Sequence, residues 1–151
     1  MASIRHFMTD DHRRCDDFFA AVEQAVAQGK LPAGLAAFEH FSAAVLAHFD
    51  AEEKTLFPAF ERATGMMGGP TQVMRMEHAQ MRDLMATAVE SLRAGEAEDY
   101  LGQAETLLIM MQQHNMKEEN ILYPMCDMRL GGERDALVNT LATRLAPEHA
   151  A

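Results

Sequence analysis

The sequence predicts an all-α fold: an up-down-up-down antiparallel four-helix bundle followed by a short C-terminal helix. The composition favours helix, since 48% of the 151 residues are hydrophobic, only 7% are aromatic and none is Trp. Breakers at 29–32, 65–70, 94–98 and 130–132 leave four long segments with helical periodicity. The connections between these segments are short, so consecutive helices are expected to pack antiparallel.

The length favours a single domain with one core over residues 1–151. We expect the bundle to occupy roughly 8–128 and the C-terminal helix roughly 133–146. The last segment has no counterpart in the first half of the chain. It carries an apolar face and is expected to pack on the bundle through Leu137, Leu141 and Leu145.

Each long segment carries an apolar stripe at steps of three and four residues, which is typical of the inward face of a bundle helix. In chain order the stripes contain Cys15, Phe19, Val22 and Val26; Phe38, Phe41, Val45 and Leu56; Met74, Met81, Met85, Ala88 and Leu92; and Ala104, Leu107, Met111, Leu122 and Met125. Thr9 or Asp10 is expected to cap the first helix, and Pro70 suits the first turn of the third.

The two halves of the chain are related by an internal repeat. "HFDAEEKTLFP" at 48–58 returns 66 residues later as "HNMKEENILYP" at 114–124, and "MTDDHRRCDDFF" at 8–19 returns as "MRMEHAQMRDLM" at 74–85. The bundle is therefore expected to consist of two related helix pairs that face each other. The proline that ends each copy of the first motif should remove one helical hydrogen bond and bend the helix.

Four histidines and two glutamates share the inward stripes with these apolar residues: His12, His48, Glu52, His78, His114 and Glu118. A carboxylate buried alone costs several kcal/mol or takes up a proton. No Lys or Arg lies on the stripes to compensate. A metal ion is the simplest source of the missing positive charge, and neutral histidines would complete its set of ligands.

Helical geometry selects between the paired glutamates of each motif. A step of four residues leaves Glu52 roughly 40° from His48, whereas a step of five leaves Glu53 roughly 140° away. The same holds for the second copy, so Glu52 and Glu118 are the predicted ligands. Glu53 and Glu119 are expected to face solvent or the flank of the bundle.

Six nitrogen and oxygen ligands are few for two octahedral ions but suit a pair of ions that carboxylates bridge. Water, hydroxide or a small ligand would fill the remaining positions. Asp11 and Glu77 occupy matched positions beside two of the histidines. They would either orient histidine N–H groups or lie on a solvated helix flank.

The ordered set His12, His48-x3-Glu52, His78 and His114-x3-Glu118 resembles the pattern of the hemerythrin-like, or HHE cation-binding, family over roughly residues 8–128. The resemblance implies a four-helix bundle that holds a non-haem di-iron centre with an oxo or hydroxo bridge. It also implies that the first two histidines bind one iron, the last two bind the other, and both glutamates bridge. Zn and Mn also suit these ligand types.

The sequence differs from the oxygen-carrying hemerythrins, which have a further histidine where this chain has Met74. Those proteins also use an aspartate five residues after the fourth-helix histidine, whereas this chain offers Glu118 at four. The set of four histidines and two glutamates is more similar to bacterial relatives that repair iron centres or respond to nitric oxide.

Charge and composition exclude several other classes of function. The formal net charge of −10 argues against nucleic-acid binding and offers no basic patch for a membrane surface. No apolar run approaches the roughly 20 residues of a membrane span, and the N-terminus has no secretory signal pattern. Two cysteines outside any metal-binding spacing suggest free thiols in a reducing compartment, so we expect a cytoplasmic protein.

The leading functional hypothesis is a di-iron protein that binds or senses a small ligand such as O2 or NO. A di-iron redox enzyme acting on O2, peroxide or NO is the second, together with a repair protein that donates iron. The sequence singles out no general acid or nucleophile that would favour an enzyme. The third is a redox-inert bundle that stores Zn, Mn or Fe.

Overall fold

The computed structural model of the chain describes residues 3–149, with side chains described as far as residue 147. Every element in this range is helical, as predicted. The elements are α1 (Ile4–Ala27), α2 (Leu31–Ala51), a first π turn (Glu52–Leu56), α3 (Phe57–Thr64), α4 (Pro70–Arg93), α5 (Ala97–Lys117), a second π turn (Glu118–Leu122), α6 (Tyr123–Arg129) and α7 (Arg134–His149). Over the described range, no helix combines the length and the apolar character that crossing a membrane requires.

Each π turn joins two α-helices into one longer rod, α2 with α3 and α5 with α6. The wider turn is visible in the backbone, where the N–H of Phe57 donates to the carbonyl of Glu52 and the N–H of Tyr123 to that of Glu118. The next residue is proline in both copies and has no N–H to donate. The bend expected at the prolines is thus preceded by a π turn that begins at a predicted ligand, and such turns are frequent at functional sites.

The first helix begins earlier than predicted, and the expected cap at Thr9 or Asp10 is wrong. Ser3 is the N-cap residue, and its hydroxyl accepts a backbone N–H one turn along the helix. Asp127 of α6 accepts the N–H of Ile4 at 2.8 Å. A carboxylate from the other half of the chain therefore supplies a cap that local sequence does not reveal.

The predicted stripes form the core. All of their apolar residues are buried except Met125, which is half-buried. The core consists of two apolar clusters. On α1 and on α4, a predicted histidine ligand (His12 or His78) lies between residues of one cluster and residues of the other. On α1, Met8 belongs to one cluster and Cys15 to the other, with His12 between them. The polar residues of the stripes are thus placed inside the core.

The helices pack in the pairs that the repeat predicts. α1 packs along α2, α4 along α5, and α2 also contacts α4. Pro70 occupies the first turn of α4, as expected. The C-terminal helix α7 packs on α1, on α2 and on the first π turn, with Leu141 and Leu145 fully buried. It thereby supports the backbone from which one of the predicted glutamate ligands projects.

Candidate metal centre

The structure brings the six predicted ligands together in the core. Potential ligand atoms of Glu52, His78, His114 and Glu118 lie within 4.8 Å of one another, as do those of His12, His48 and Glu118. Glu118 therefore belongs to both groups. The six side chains are at most 5% exposed. Each glutamate is the first residue of a π turn, directly after the end of an α-helix.

Several atoms at this centre test whether the residues suit a metal ion. Glu52 Oε1, His78 Nε2, His114 Nε2 and Glu118 Oε2 are buried, and none of them makes a hydrogen bond of good geometry with a described residue, although His78 Nε2 lies 3.1 Å from Glu52 Oε1. Each buried polar atom left without a partner costs roughly 1–3 kcal/mol. Imidazole nitrogens with carboxylate oxygens are ligands that Fe, Mn and Zn accept. The donor set therefore fits a transition-metal ion.

A carboxylate contacts the outer nitrogen of each of the four histidines. The Nδ1-to-oxygen distances are 2.7 Å for His12 and Glu119, 2.7 Å for His48 and Asp11, 2.7 Å for His78 and Glu53, and 2.8 Å for His114 and Glu77. An Nδ1–H that donates to a carboxylate leaves Nε2 free to bind a metal. We call these four acidic residues the outer carboxylates.

Two of the outer carboxylates settle an alternative that the sequence left open. Asp11 and Glu77 orient histidines and are not merely solvated helix flanks. Glu53 and Glu119 lie on the flanks of the bundle, where each reaches a histidine of a neighbouring helix. Their position on the flank is as expected, but the contacts with histidines were not predicted, because angular position on one helix says nothing about the side chains of the next.

Basic residues hold some of the outer carboxylates in turn. The guanidinium of Arg82 donates to both oxygens of Glu53, at 2.9 and 3.0 Å. Lys117 Nζ lies 2.5 Å from Glu77 Oε2. These contacts stabilise the ionised carboxylates, since the pKa values of Glu53 and Glu77 are lowered by these basic groups against the opposing effect of burial.

Replacing Glu119 with Gln is expected to weaken metal binding about 10–100-fold, the usual effect of losing a partner of a metal-ligating histidine. The neutral amide removes the charged acceptor of His12 Nδ1–H. Competition against a chelator of known affinity measures the change. Glu105→Gln, an exposed change on α5, is the matched control and should bind metal as the parent does. Unchanged affinity in Glu119→Gln would show that this carboxylate does not support the site.

Burial and the carboxylates oppose each other in setting the charge of the histidines. Burial lowers the pKa of His114, but the carboxylates of Glu118, Glu52 and Glu77 outweigh it and raise the pKa to about 9. Although burial opposes ionisation of Glu52, neighbouring His48 holds its pKa well below the usual range. In the metal-free protein, protons on His48 and His114 thus provide positive charge that a metal ion would otherwise supply.

The metal-free protein should lose stability as the pH rises from about 6.5 to about 9. The pKa of His114 is higher in the folded than in the unfolded chain, so its stabilising effect is complete below the unfolded value and disappears through the folded value. Metal affinity should rise over the same range, because metal must displace those protons. Thermal unfolding in excess chelator and metal titration across this range measure both trends.

A His114→Gln variant is the control for the predicted loss of stability of the metal-free protein with rising pH. It should show a weaker decrease in the stability of the metal-free protein as the pH rises, since one of the histidines with a raised pKa is gone. A metal-free protein that becomes more stable towards pH 9 would contradict the assigned charge state.

Tyr123 was not predicted as a site residue, yet its hydroxyl lies among the predicted ligands. Its oxygen is 2.6 Å from Glu52 Oε2, 2.9 Å from Glu118 Oε1, and 3.2 Å from Nε2 of both His12 and His48. The side chain is fully buried. Burial and the two carboxylates raise the pKa of Tyr123 well above its usual range, so the metal-free protein carries a neutral phenol. The sequence signal was the change from Phe57 to Tyr123 between otherwise similar motifs.

A small cavity adjoins the histidines of α1 and α2. Its volume is about 20 Å³, slightly more than one water molecule requires. The lining is largely apolar and consists of Cys15, Val45, Phe49, Met81 and Met111, together with His12, His48 and Asn115. Only a very small molecule fits beside the site without movement of the core.

Comparison with known proteins agrees with this geometry. The family model for the Hemerythrin HHE cation binding domain matches residues 3–126. This range includes all six predicted ligands and ends before α7. No curated protein and no solved structure gives a significant match to the chain.

Proposed function

The chain belongs to the hemerythrin HHE cation-binding family, and from this premise we propose a non-haem di-iron protein that binds or senses a small ligand such as O2 or NO. His12 and His48 would hold one iron, and His78 and His114 the other. Glu52 and Glu118 would bridge them, with an oxo or hydroxo group as a further bridge. The observation that carries the proposal is the convergence of buried imidazole and carboxylate atoms in two groups, with ligand atoms within 4.8 Å of one another.

Two groups of potential ligand atoms that share Glu118 support two ions and not one. A bridging carboxylate must offer one oxygen to each ion, and Glu118 is the residue common to both groups. The packing of α1 with α2 and of α4 with α5 supports the predicted up-down-up-down arrangement, in which each helix pair supplies the histidines of one ion.

Residues of the chain prepare this site before any metal binds. The outer carboxylates fix the histidine rings, so that each Nε2 faces the centre. Phe49 stacks on the ring of His78, with ring centroids 3.9 Å apart and planes inclined by 14°. Apolar side chains around the cavity limit access of water. Bound iron would supply redox activity and open coordination positions in this apolar setting.

The cavity favours a diatomic ligand. A space of about 20 Å³ excludes organic substrates unless the core rearranges. Its apolar lining suits O2 or NO, neither of which needs several hydrogen-bond partners. Both cysteines are buried, and we propose a cytoplasmic location for the protein.

The test is anaerobic purification, followed by metal analysis and absorption spectra before and after addition of O2 and of NO. We expect bound iron and a spectral change that reverses when the gas is removed. Catalytic consumption of O2, peroxide or NO beyond one equivalent per site would replace the binding role with an enzymatic one. A colourless protein that contains stoichiometric zinc and is inert to both gases would contradict both redox functions and favour metal storage.

A further inference from the structure

The two halves of the centre match at every predicted ligand but differ at one neighbouring ring. Phe57 and Tyr123 are separated by the repeat distance of 66 residues. The ring centroid of Phe57 lies 5.7 Å from that of His78, and the ring centroid of Tyr123 lies 5.7 Å from that of His12. The two rings thus have equivalent positions, and only the ring beside His12 carries a hydroxyl group.

This hydroxyl lies where electron-rich atoms converge. Two carboxylate oxygens and two imidazole nitrogens surround the Tyr123 oxygen at 2.6 to 3.2 Å. A neutral phenol has a single hydrogen to donate, so it cannot satisfy all four atoms. In the other half, Nε2 of His78 lies 3.1 Å from Glu52 Oε1 and Nε2 of His114 lies 3.4 Å from Glu118 Oε1, and no hydroxyl group of a described residue hydrogen-bonds to either nitrogen. The tyrosine oxygen therefore belongs to the surroundings of one ion only.

We propose that Tyr123 is a ligand of the ion held by His12 and His48, an inference that rests on the di-iron centre proposed above. The O–H bond of the phenol breaks as the bond from oxygen to metal forms, and the proton is released to solvent. Tyrosine binds iron in other proteins. The two ions then differ chemically, since His78 and His114 have Phe57 at the corresponding position and gain no phenolate.

The test is resonance Raman and absorption spectroscopy of iron(III)-loaded protein, with iron content measured on the same samples. The parent should contain two irons per chain and show a phenolate-to-iron charge-transfer band with tyrosinate vibrations. Tyr123→Phe should lose both signals and keep its iron, because the histidines and glutamates remain. Tyr100→Phe is the matched control: it changes the chain's other tyrosine, whose buried hydroxyl has no hydrogen-bond partner in the described part of the chain, and should keep both signals.

The possible results separate this inference from the function on which it rests. A parent protein that binds two irons without tyrosinate vibrations would overturn the inference alone, as would signals that persist in Tyr123→Phe. One metal per chain in the parent but two in Tyr123→Phe would also overturn it, because the hydroxyl would then block a site. A parent that binds no iron would overturn both the di-iron function and the ligand assignment.

Discussion

Replacing Glu118 with Gln is expected to release metal and to cause the largest loss of stability in the metal-loaded protein. Glu118 is the residue common to both groups of potential ligand atoms, and an amide is a poor bridging ligand. Metal that binds only the folded chain stabilises it by about 4 kcal/mol at a free concentration of 1,000 Kd. Loss of that contribution lowers the Tm by roughly 8–16 °C for a protein of this size.

Comparing the metal-loaded protein with the protein in excess chelator distinguishes loss of metal from simple damage to the core. Gln has nearly the same volume as Glu but lacks the charge that faces His114, so Glu118→Gln should lower the Tm in excess chelator too, but by less than it lowers the Tm of the metal-loaded protein. Glu105→Gln should match the parent in both states, because Glu105 is exposed on the same rod. If Glu118→Gln retains two metals and the Tm of the loaded parent, the bridging assignment is wrong.

Phe49→Ala is expected to have the second large effect, a destabilisation of the metal-free protein by about 3–5 kcal/mol. Phe49 is 4% exposed and stacks on the ring of His78. Its ring also lies 5.4 Å from the Arg82 guanidinium and lines the small cavity. Truncation should lower the Tm by roughly 6–20 °C and free the His78 ring, so that metal affinity also falls.

Phe18→Ala provides the matched control. Phe18 also stacks on a histidine, His40, with ring centroids 4.3 Å apart. Phe18 is only half-buried, and His40 is not a predicted ligand. We expect a smaller loss of stability and no change in metal affinity. Thermal unfolding in chelator, combined with metal titration, compares the two variants. Equal effects on metal affinity would show that Phe49 has no particular role at the site.

The sequence was sufficient to predict the helices and the inward stripes, because these depend on periodicity within each segment. Phe41, Leu107 and the other stripe residues are buried as the periodicity requires. It was not sufficient to place the start of α1, since Asp127 caps that helix from the other half of the chain. The π turns at Glu52–Leu56 and Glu118–Leu122 were also missed.

The candidate site likewise has features that the sequence could predict and features that it could not. The six converging residues could be predicted, because buried charges without partners are anomalous on an apolar stripe. Glu119 lies 107 residues from His12 in the chain, and no helical pattern relates the two. The hydroxyl of Tyr123 reaches the site from a ring whose repeat counterpart, Phe57, is apolar. A residue-by-residue comparison of the two motifs contained this signal, but only the folded structure shows where the oxygen lies.

Mössbauer spectroscopy of the iron-reconstituted protein, with iron content measured on the same sample, tests the proposed centre most directly. Two irons per chain that are exchange-coupled through bridging ligands are the predicted result. The signals should be lost in Glu118→Gln and retained in Glu105→Gln. A single iron per chain, or two irons without magnetic coupling, would contradict a bridged di-iron centre.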